Sequence, residues 1–394
     1  MPEYTTADEE VGHIAKIKVI GVGGGGNNAV ESMIASTMRN VDFIIANTDS
    51  KSLRATKAKT KIQLGSQLTR GLGAGTRPEI GREAALESRS QLIGCLKGTD
   101  LLFIAAGMGG GTGTGAAPVI AEVAKEAGVL TVGIVTKPFT YEGKMKTKIA
   151  DTGLLELKKY VDSLIVVSND RLISHASKGI SLFDAFKPAD EVLRQAVQGI
   201  SELILATGYM NLDFADVRTV MSVRGMAMMG IGIGTGEDKA SMAIHMAISS
   251  PMLEDNDISG AKGVLINITG SSSMSIDDYT TVNRIVSERV HENATIKIGV
   301  VQDDSIGDII KVTVIATGFG GSFDNDTGDK LKRRIESAPE IHNPQGKKTL
   351  DIPTYIRDRQ SNENTIKFRI PDLPEEENFE SVFHIPTFLR KLVD

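Results

Sequence analysis

The sequence has a single cysteine, Cys95, and no tryptophan among its 394 residues. One cysteine cannot form a disulfide within the chain, and it cannot build a cysteine-rich metal cluster. Aromatic residues make up only 5% of the sequence. We therefore expect hydrophobic cores of aliphatic side chains, with the 14 methionines as filler.

Long apolar runs and a recognisable targeting segment are also missing. Residues 1–13 are acidic and polar, unlike the basic and apolar parts of a signal peptide. No apolar run approaches the roughly 20 residues that a helix needs to cross a bilayer. The composition predicts a protein of the cytoplasm without direct membrane insertion.

An excess of basic charge is absent as well. The 44 lysines and arginines are outnumbered by 50 aspartates and glutamates, giving a net charge of −6. Because nothing supplies a basic field, we expect no nucleic-acid partner. The 41% hydrophobic and 24% charged residues are typical of folded domains.

The first part of the chain alternates short aliphatic runs with helical periods. Strands are predicted at 17–21, 41–46, 101–105, 131–135 and 163–167. This alternation indicates an α/β fold, with a Rossmann-like parallel sheet and helices on both faces. We expect a flexible N-terminus over 1–12 and this domain over 13–180.

A long helix and a second α/β unit are predicted next. Pro188 suits the first turn of a helix, and an apolar stripe continues to Ile204. We expect this central helix region over 181–208. A smaller α/β domain follows over 209–320, with strands near 263–269, 296–301 and 311–317.

The last 74 residues have a different composition. They hold 6 of the 12 prolines and 26 charged residues, so we expect a disordered linker over 321–382. Two islands share the pattern Ile-Pro-Thr-aromatic-aliphatic-Arg, at 352–357 and 385–390. The final segment, 383–394, has the character of a peptide ligand that folds onto a partner.

Two glycine clusters each follow a predicted strand and precede a predicted helix. The first, GVGGGGNN at 21–28, satisfies G-x-G-x-x-G, although a merely tight turn would satisfy it too. The second is GMGGGTGTG at 107–115. Two such loops at the carboxyl edge of one sheet indicate a nucleotide whose phosphates are bound by several loops. The G-x-x-x-x-G-K-[ST] pattern of a P-loop is missing.

The motifs, taken in order, resemble the tubulin/FtsZ family, and within it the bacterial FtsZ cell-division GTPases. The resemblance covers about residues 14–320 and the tail island. It rests on GVGGGGNNAV at 21–30, NTD at 47–49, GLGAG at 71–75, GGGTGTGAAP at 109–118, TKPFTYEG at 136–143, SND at 168–170, NLDFADVRTVM at 211–221 and ATGFG at 316–320.

The resemblance implies a GTP/GDP site whose parts are spread along the first domain. The implied phosphate-binding residues are Gly24, Gly25, Gly26, Asn27, Asn28, Gly110, Gly111, Thr112, Gly113 and Thr114. Thr48, Ala74 and Gly75 would lie near the γ-phosphate, with Mg²⁺ to neutralise charge there. Glu142 would contact the ribose, Asn169 and Asp190 the guanine edge, and Phe186 would stack on the base. Without the resemblance, the preferred interpretation of Asp190 would be an acid that stabilises its helix N-terminus.

Lys146 departs from the family pattern, which generally has arginine at this place. Lysine cannot make the planar bidentate contact that arginine makes with phosphate oxygens. We still assign Lys146 to the GTP site. A solvated surface lysine is the alternative.

Asn211, Asp213 and Asp216 are the implied catalytic residues. Taken alone, the two aspartates could be a helix N-cap and a first-turn acid. The resemblance instead makes them part of a loop that a neighbouring subunit inserts over bound GTP. A head-to-tail homopolymer at the midcell division ring would follow. Membrane-tethering and regulatory division proteins would bind the tail through Ile385, Pro386, Phe388, Leu389 and Arg390.

Two other function classes compete with this interpretation. A nucleotide-binding scaffold would assemble without meaningful turnover, and Lys146 favours it. A Rossmann-type oxidoreductase would use the first glycine loop for NAD, with Asp49 on the ribose. That alternative gives no role to the second glycine loop or to residues 211–216.

Overall fold

The computed structural model describes residues 15–36, 38, 40–174, 181, 184–205, 210, 212–223, 225–250 and 258–319. The predictions for residues 1–12, 321–382 and 383–394, and for Asn211, lie outside this range.

Strands and helices alternate from residue 17 to residue 174. Their order is β1 (Ile17–Val22), α1 (Gly23–Ala35), β2 (Val41–Asn47), α2 (Ser50–Ala55), β3 (Thr60–Gln63), α3 (Pro78–Glu87), α4 (Arg89–Leu96), β4 (Leu101–Gly107), α5 (Thr112–Glu126), β5 (Leu130–Lys137), α6 (Lys144–Lys158), β6 (Ser163–Ser168) and α7 (Asn169–Ser174). All five strands predicted in this region are present.

The later elements begin with the predicted central helix. Their order is α8 (Lys187–Leu205), α9 (Phe214–Met221), β7 (Gly225–Thr235), α10 (Lys239–Ile248), β8 (Gly263–Gly270), α11 (Ile276–Ser287), β9 (Thr295–Gln302) and β10 (Ile309–Phe319). Pro188 lies in the first turn of α8, where its missing N–H leaves no hydrogen bond unmade.

The strands of the described residues form one sheet in the order β3-β2-β1-β4-β5-β6-β7-β10-β8-β9. From β3 to β6 the neighbours are parallel, which is the doubly wound order of a Rossmann-like sheet. β7 continues it in parallel, and β10 lies antiparallel between β7 and β8. The sheet is therefore α/β and mostly parallel, as predicted.

Helices cover both faces of the parallel part because side chains alternate along each strand. Ile17 and Val19 of β1 belong to one buried cluster, together with residues of α1 and α8. Ile20 and Val22 belong to a second cluster with residues of α5 and α6. β8, β10, α10 and α11 contribute to a third cluster. The first cluster also includes Leu265 of β8, so α8 packs on both parts of the sheet.

Two strands were not predicted from the sequence. β3 has only four residues, too few to show an alternation. β7 carries alternating glycines where a strand normally carries β-branched residues. A Cβ at Gly230, Gly232 or Gly234 would come within 1.9 Å of a backbone oxygen of α10. The glycines are needed because α10 lies directly on the strand.

Candidate functional site

The two glycine loops leave the sheet side by side. Val22, the last residue of β1, pairs with Ala106 near the end of β4. The strand order reverses between β1 and β4, and the carboxyl edge of a doubly wound sheet at such a point is where ligands bind. The fold therefore brings both clusters to one crevice.

Several glycines are required because the two loops pack backbone to backbone. A Cβ on Gly26 would lie 2.2 Å from the Ala105 oxygen, and one on Gly113 would lie 2.4 Å from the Gly107 oxygen. Gly23 has φ +71 and would place a Cβ 2.9 Å from the Gly113 nitrogen. These three positions shape the crevice and leave no room for side chains.

Other glycines in the same loops face open space. A Cβ on Gly24 or Gly110 would meet nothing within 4 Å, and neither residue has a left-handed conformation. Gly75 also faces open space, although its φ of +59 favours glycine by itself. Packing does not explain the absence of side chains at Gly24 and Gly110. The uncovered backbone beside the amino ends of α1 and α5 has the chemistry of a phosphate site.

A third loop, residues 71–75, joins the crevice through hydrogen bonds. The amide of Gly111 donates to the carbonyl of Gly75 over 2.8 Å, and that of Gly73 donates to the carbonyl of Thr48 over 3.2 Å. The hydroxyls of Thr48 and Thr112 lie 2.7 Å apart. Thr48, Thr112 and the 71–75 loop, three separate parts of the sequence, therefore lie together.

Thr114 has a different place from Thr112. Its hydroxyl is buried and accepts a hydrogen bond from the Gly109 amide over 2.9 Å. This contact holds the second glycine loop in shape.

A cavity extends from the loops toward α8. Among the predicted residues it is lined by Gly25, Asn28, Glu142, Asn169, Phe186 and Asp190. Sequence reasoning missed Met108, Thr136, Pro138, Ala189 and Leu193, which also line it. Met108, Thr136 and Pro138 lie at the ends of β4 and β5, so their place at the carboxyl edge was the available signal.

Asp190 lies in the first turn of α8, half-buried. Burial disfavours its charged form and raises the pKa of its carboxyl from 3.8 to about 6. Phe186 is 42% exposed, and its ring meets that of Phe139 edge-on with centroids 5.1 Å apart. The cavity thus combines a carboxyl group with an accessible aromatic ring, two groups that suit a planar ligand with hydrogen-bond donors.

Three buried asparagines have side-chain polar atoms without hydrogen-bond partners among the described residues. One is Asn267 of β8, and the other two lie at this site. The unpaired atoms at the site are both amide atoms of Asn27, in the glycine-rich start of α1, and the Oδ1 atom of Asn169, which lines the cavity. Since buried polar groups in folded proteins are nearly always paired, these atoms fit a site that a polar ligand completes.

Asp49 is engaged in a local structural role. It caps α2, accepting hydrogen bonds from the Lys51 amide and the Ser52 hydroxyl. These bonds hold the pKa of its carboxyl below the ordinary value, with the Ser52 bond first. The side chain proposed for an NAD ribose is therefore part of a helix cap.

Residues 16–177 match the sequence model described as the GTPase domain of the Tubulin/FtsZ family. Residues 225–320 match the C-terminal domain of the FtsZ family. The chain belongs to the tubulin/FtsZ family. It is a GTPase of the FtsZ type, its function is in cell division, and GTP and GDP are its ligands.

Full-length relatives support the same family. The cell division protein FtsZ of Buchnera aphidicola subsp. Schizaphis graminum is 49% identical over 385 residues, covering 98% of this chain and 99% of that protein. FtsZ of Coxiella burnetii is 47% identical, covering 96% of each chain. A solved FtsZ dimer from M. jannaschii, described as empty, is 44% identical. It superposes with a TM-score of 0.73 over 77% of this chain and 88% of that one.

Lys146, where the FtsZ-type pattern changes, pairs with another predicted site residue. Its Nζ lies 3.0 Å from Oε2 of Glu142, whose Oε1 accepts from the Phe139 amide over 2.9 Å. The backbone of Lys146 lies against the second glycine loop, since a Cβ on Gly109 would come within 3.0 Å of its carbonyl oxygen. Lys146 is thus near the phosphate loop, with its charge directed to Glu142.

The predicted catalytic aspartates lie on α9, outside the nucleotide crevice. Asp213 is the N-cap of α9, and its Oδ1 accepts from the Asp216 amide over 2.6 Å. Arg218 of α9 donates to the carbonyl of Gly128, just before β5 begins. The carbonyl of Met221, the last residue of α9, accepts from Ser163, the first residue of β6.

α9 is therefore at the amino edge of β5 and β6, whereas the glycine loops are at the carboxyl edge. The eight residues of β5 separate these edges by roughly 25 Å at the usual rise per residue. Asp213 and Asp216 are at the opposite side of the sheet from the nucleotide site of their own chain.

None of the described helices is both long enough and apolar enough to cross a bilayer.

Proposed function

We propose that this GTPase assembles head to tail into filaments and hydrolyses GTP where two subunits meet. One observation carries the proposal. The acids of α9 lie at the amino edge of the sheet, whereas the glycine loops lie at the carboxyl edge. A second copy can bring its α9 to the first copy's nucleotide. Because that contact joins two different surfaces and does not close, it repeats into a filament.

In this proposal one subunit supplies the nucleotide site. The backbone of 24–28 and 110–114 binds the phosphates, with Thr48 and the 74–75 backbone at the γ-phosphate. Asp190 and Asn169 form hydrogen bonds with the guanine edge. Phe186 stacks on the base, and Glu142 contacts the ribose. Support comes from the open space at Gly24 and Gly110 and from the unpaired atoms of Asn27 and Asn169.

The next subunit supplies the carboxylates. Asp213 and Asp216 accept hydrogen bonds from the attacking water and polarise it as it approaches the γ-phosphate. Asn211 helps to position the loop. A lone subunit then holds GTP without the acids that hydrolyse it, so turnover depends on assembly.

Mg²⁺ would offset the negative charge of the β- and γ-phosphates. The described residues include no group of three potential acidic, histidine or cysteine ligands. Mg²⁺ commonly uses phosphate oxygens and water, and the Thr48 and Thr112 hydroxyls are the oxygen donors at that end of the crevice. We assign no individual ligand to the ion.

Self-association is supported by the dimer of the 44%-identical relative. The tail segment 383–394 would tether the filament to membrane-anchoring division proteins in the cytoplasm at midcell. The proposed domain boundaries are supported by the separate matches at 16–177 and 225–320, with α8 between them.

Phosphate release from GTP, measured against protein concentration, tests shared catalysis. We expect turnover per subunit to appear only above a threshold concentration. Asp213→Ala should abolish it while GTP binding to the monomer survives. Because Asp213 also caps α9, Asp213→Asn is the sharper variant, since asparagine keeps the cap but removes the carboxylate.

Specific activity that is independent of concentration would mean that each subunit carries a complete site. Full turnover in Asp213→Asn would instead show that the Asp213 carboxylate has no role in the reaction. Either result would contradict the proposal.

A further inference from the structure

Lys297 of β9 pairs with one of the two proposed catalytic acids. Its Nζ lies 2.6 Å from Oδ1 of Asp216, and the two side chains are 34% and 33% exposed. The pair joins α9 to β9 across 81 positions of sequence, so it is a tertiary contact. Nearby, the Val300 amide of β9 donates to the carbonyl of Met210 over 3.0 Å. Two contacts therefore hold β9 to the segment that carries the acids.

We propose that Lys297 is a positioning residue for Asp216 in the shared GTPase reaction. This inference rests on the proposed function, because it assumes that Asp216 acts on the neighbouring subunit's nucleotide. Lys297 holds one carboxylate oxygen, which restricts the rotamer of Asp216. A carboxylate has two oxygens that accept hydrogen bonds, so the other oxygen can meet the water.

Charge gives Lys297 a second effect on the same step. Asp213 and Asp216 lie within one helical turn and would face a polyphosphate, so their two negative charges oppose the approach. The two aspartates together carry a charge of −2, and the positive charge of Lys297 reduces the net charge of the group to −1. Partly exposed ion pairs of this kind contribute little to folding stability. Its main consequence should therefore appear in turnover.

Lys297→Met removes the charge while keeping an unbranched side chain of similar length. We expect turnover per assembled subunit, measured well above the threshold concentration, to fall about tenfold through loss of orientation. GTP affinity of the monomer should stay unchanged, because Lys297 is remote from the glycine loops. Lys297→Arg should restore most of the turnover, since it restores a cation that can pair with Asp216.

Lys262 provides a matched control. It is exposed and directly precedes β8, at the same end of the neighbouring strand as Thr295 of β9. Lys262→Met makes the same charge change on this end of the molecule. We expect its turnover per assembled subunit to stay within about twofold of the parent, as for most surface substitutions.

A double-mutant cycle tests whether Lys297 acts through Asp216. Asp216→Asn alone should lower turnover, and adding Lys297→Met to it should cost nothing further. If Lys297→Met lowered turnover by the same factor in the parent protein and in Asp216→Asn, Lys297 would act independently of Asp216. That result would overturn the inference.

Two other outcomes would also overturn it. Unchanged turnover in Lys297→Met would show that the ion pair has no role in the reaction. Loss of folding or monomer GTP binding that Lys297→Arg does not rescue would show a structural role. In both cases a threshold concentration in the parent protein would leave shared catalysis intact. The absence of that threshold, or full turnover in Asp213→Asn, would instead contradict the proposed function itself.

Discussion

Single glycines in the two loops have different physical reasons to be glycine. Gly26 is surrounded by backbone, whereas Gly24, two residues earlier, faces open space. The sequence presents them as equivalent members of one motif. Only the packing separates a position that shapes the loop from one that leaves room for phosphate.

Gly24→Ala and Gly26→Ala form a matched pair that tests this distinction. Gly24→Ala should leave the melting temperature unchanged or slightly higher, because alanine favours the first turn of α1. Its added methyl group should weaken GTP binding by at least about tenfold, by occupying space that the phosphates need. Thermal melting and nucleotide titration measure the two effects.

Gly26→Ala should lower the melting temperature strongly, because its Cβ would overlap the Ala105 oxygen. If Gly24→Ala bound GTP normally, the open space beside Gly24 would not be the phosphate site.

Asp190 should connect nucleotide affinity to pH. Its pKa of about 6 means that the carboxyl takes up a proton as the pH falls through 6. The protonated acid can no longer accept from both guanine donors, so GTP affinity should fall below pH 6. Asp190→Asn should weaken GTP binding by roughly 10- to 100-fold at pH 7.5, through lost charge-assisted hydrogen bonds.

The difference in affinity between Asp190→Asn and the parent should narrow toward pH 5. This comparison also removes the contribution of phosphate titration, which both proteins share. A constant difference from pH 5 to pH 8 would contradict the assignment.

The same shift has a consequence for stability, with the opposite sign. The folded pKa is above the unfolded value of 3.8, so the folded chain binds more protons between about pH 4 and 6. Stability is therefore lost as the pH rises through that window. Asp190→Asn should make the nucleotide-free protein more stable at pH 7.5, measured by denaturant unfolding. If Asp190→Asn and the parent protein had the same free energy of unfolding at pH 7.5, burial of the charged Asp190 carboxylate would not lower stability.

At the scale of elements, the close packing of α10 determines which residues β7 can contain. The strand bears glycine at 230, 232 and 234, and the helix lies directly over these positions. This close approach removes the alternation by which strands are usually recognised. It also makes the glycines among the least replaceable residues of the sheet.

Gly232→Ala should lower the free energy of unfolding by about 2–3 kcal/mol, as overpacking of a tight contact does. The added Cβ would lie 1.9 Å from the carbonyl oxygen of Ala243. Gly94→Ala in α4 is the control, since that Cβ would meet nothing and alanine favours a helix. Denaturant unfolding compares the two. A similar, small effect for both would show that α10 can move away from β7 at little cost.

At the scale of the whole molecule, the part of the chain up to residue 319 and the tail should have separable roles. Truncation after residue 382 removes the proposed partner-binding peptide but keeps every residue of the nucleotide and catalytic sites. We expect its threshold concentration and its turnover to stay within about twofold of the parent, since the last residues of a chain commonly tolerate change. Binding to a membrane-tethering division protein should be lost.

Deleting 352–357 alone tests whether the first island competes for the same partner. Weaker partner binding would support a role of this island in the same interaction, and unchanged binding would contradict it. A large change of turnover in either deletion would mean that the tail takes part in assembly.

The α/β class, most strands of the sheet and the phosphate chemistry could be predicted from the residues alone, because these features depend on local patterns. Apolar runs predicted β1, β2, β4, β5 and β6, and glycine clusters indicated backbone amides beside helix amino ends. β3 and β7 were not predicted. β3 is too short to show a pattern, and the composition of β7 depends on its packing against α10.

Contacts between residues far apart in the sequence depend on the tertiary fold. The reversal of strand order placed the two glycine loops in one crevice, and the fold placed Asp190 and Phe186, at the start of α8, in the adjoining cavity. It also placed α9 at the opposite edge and paired Asp216 with Lys297, 81 positions later. Such contacts depend on topology and long-range packing, which no local pattern of residues contains.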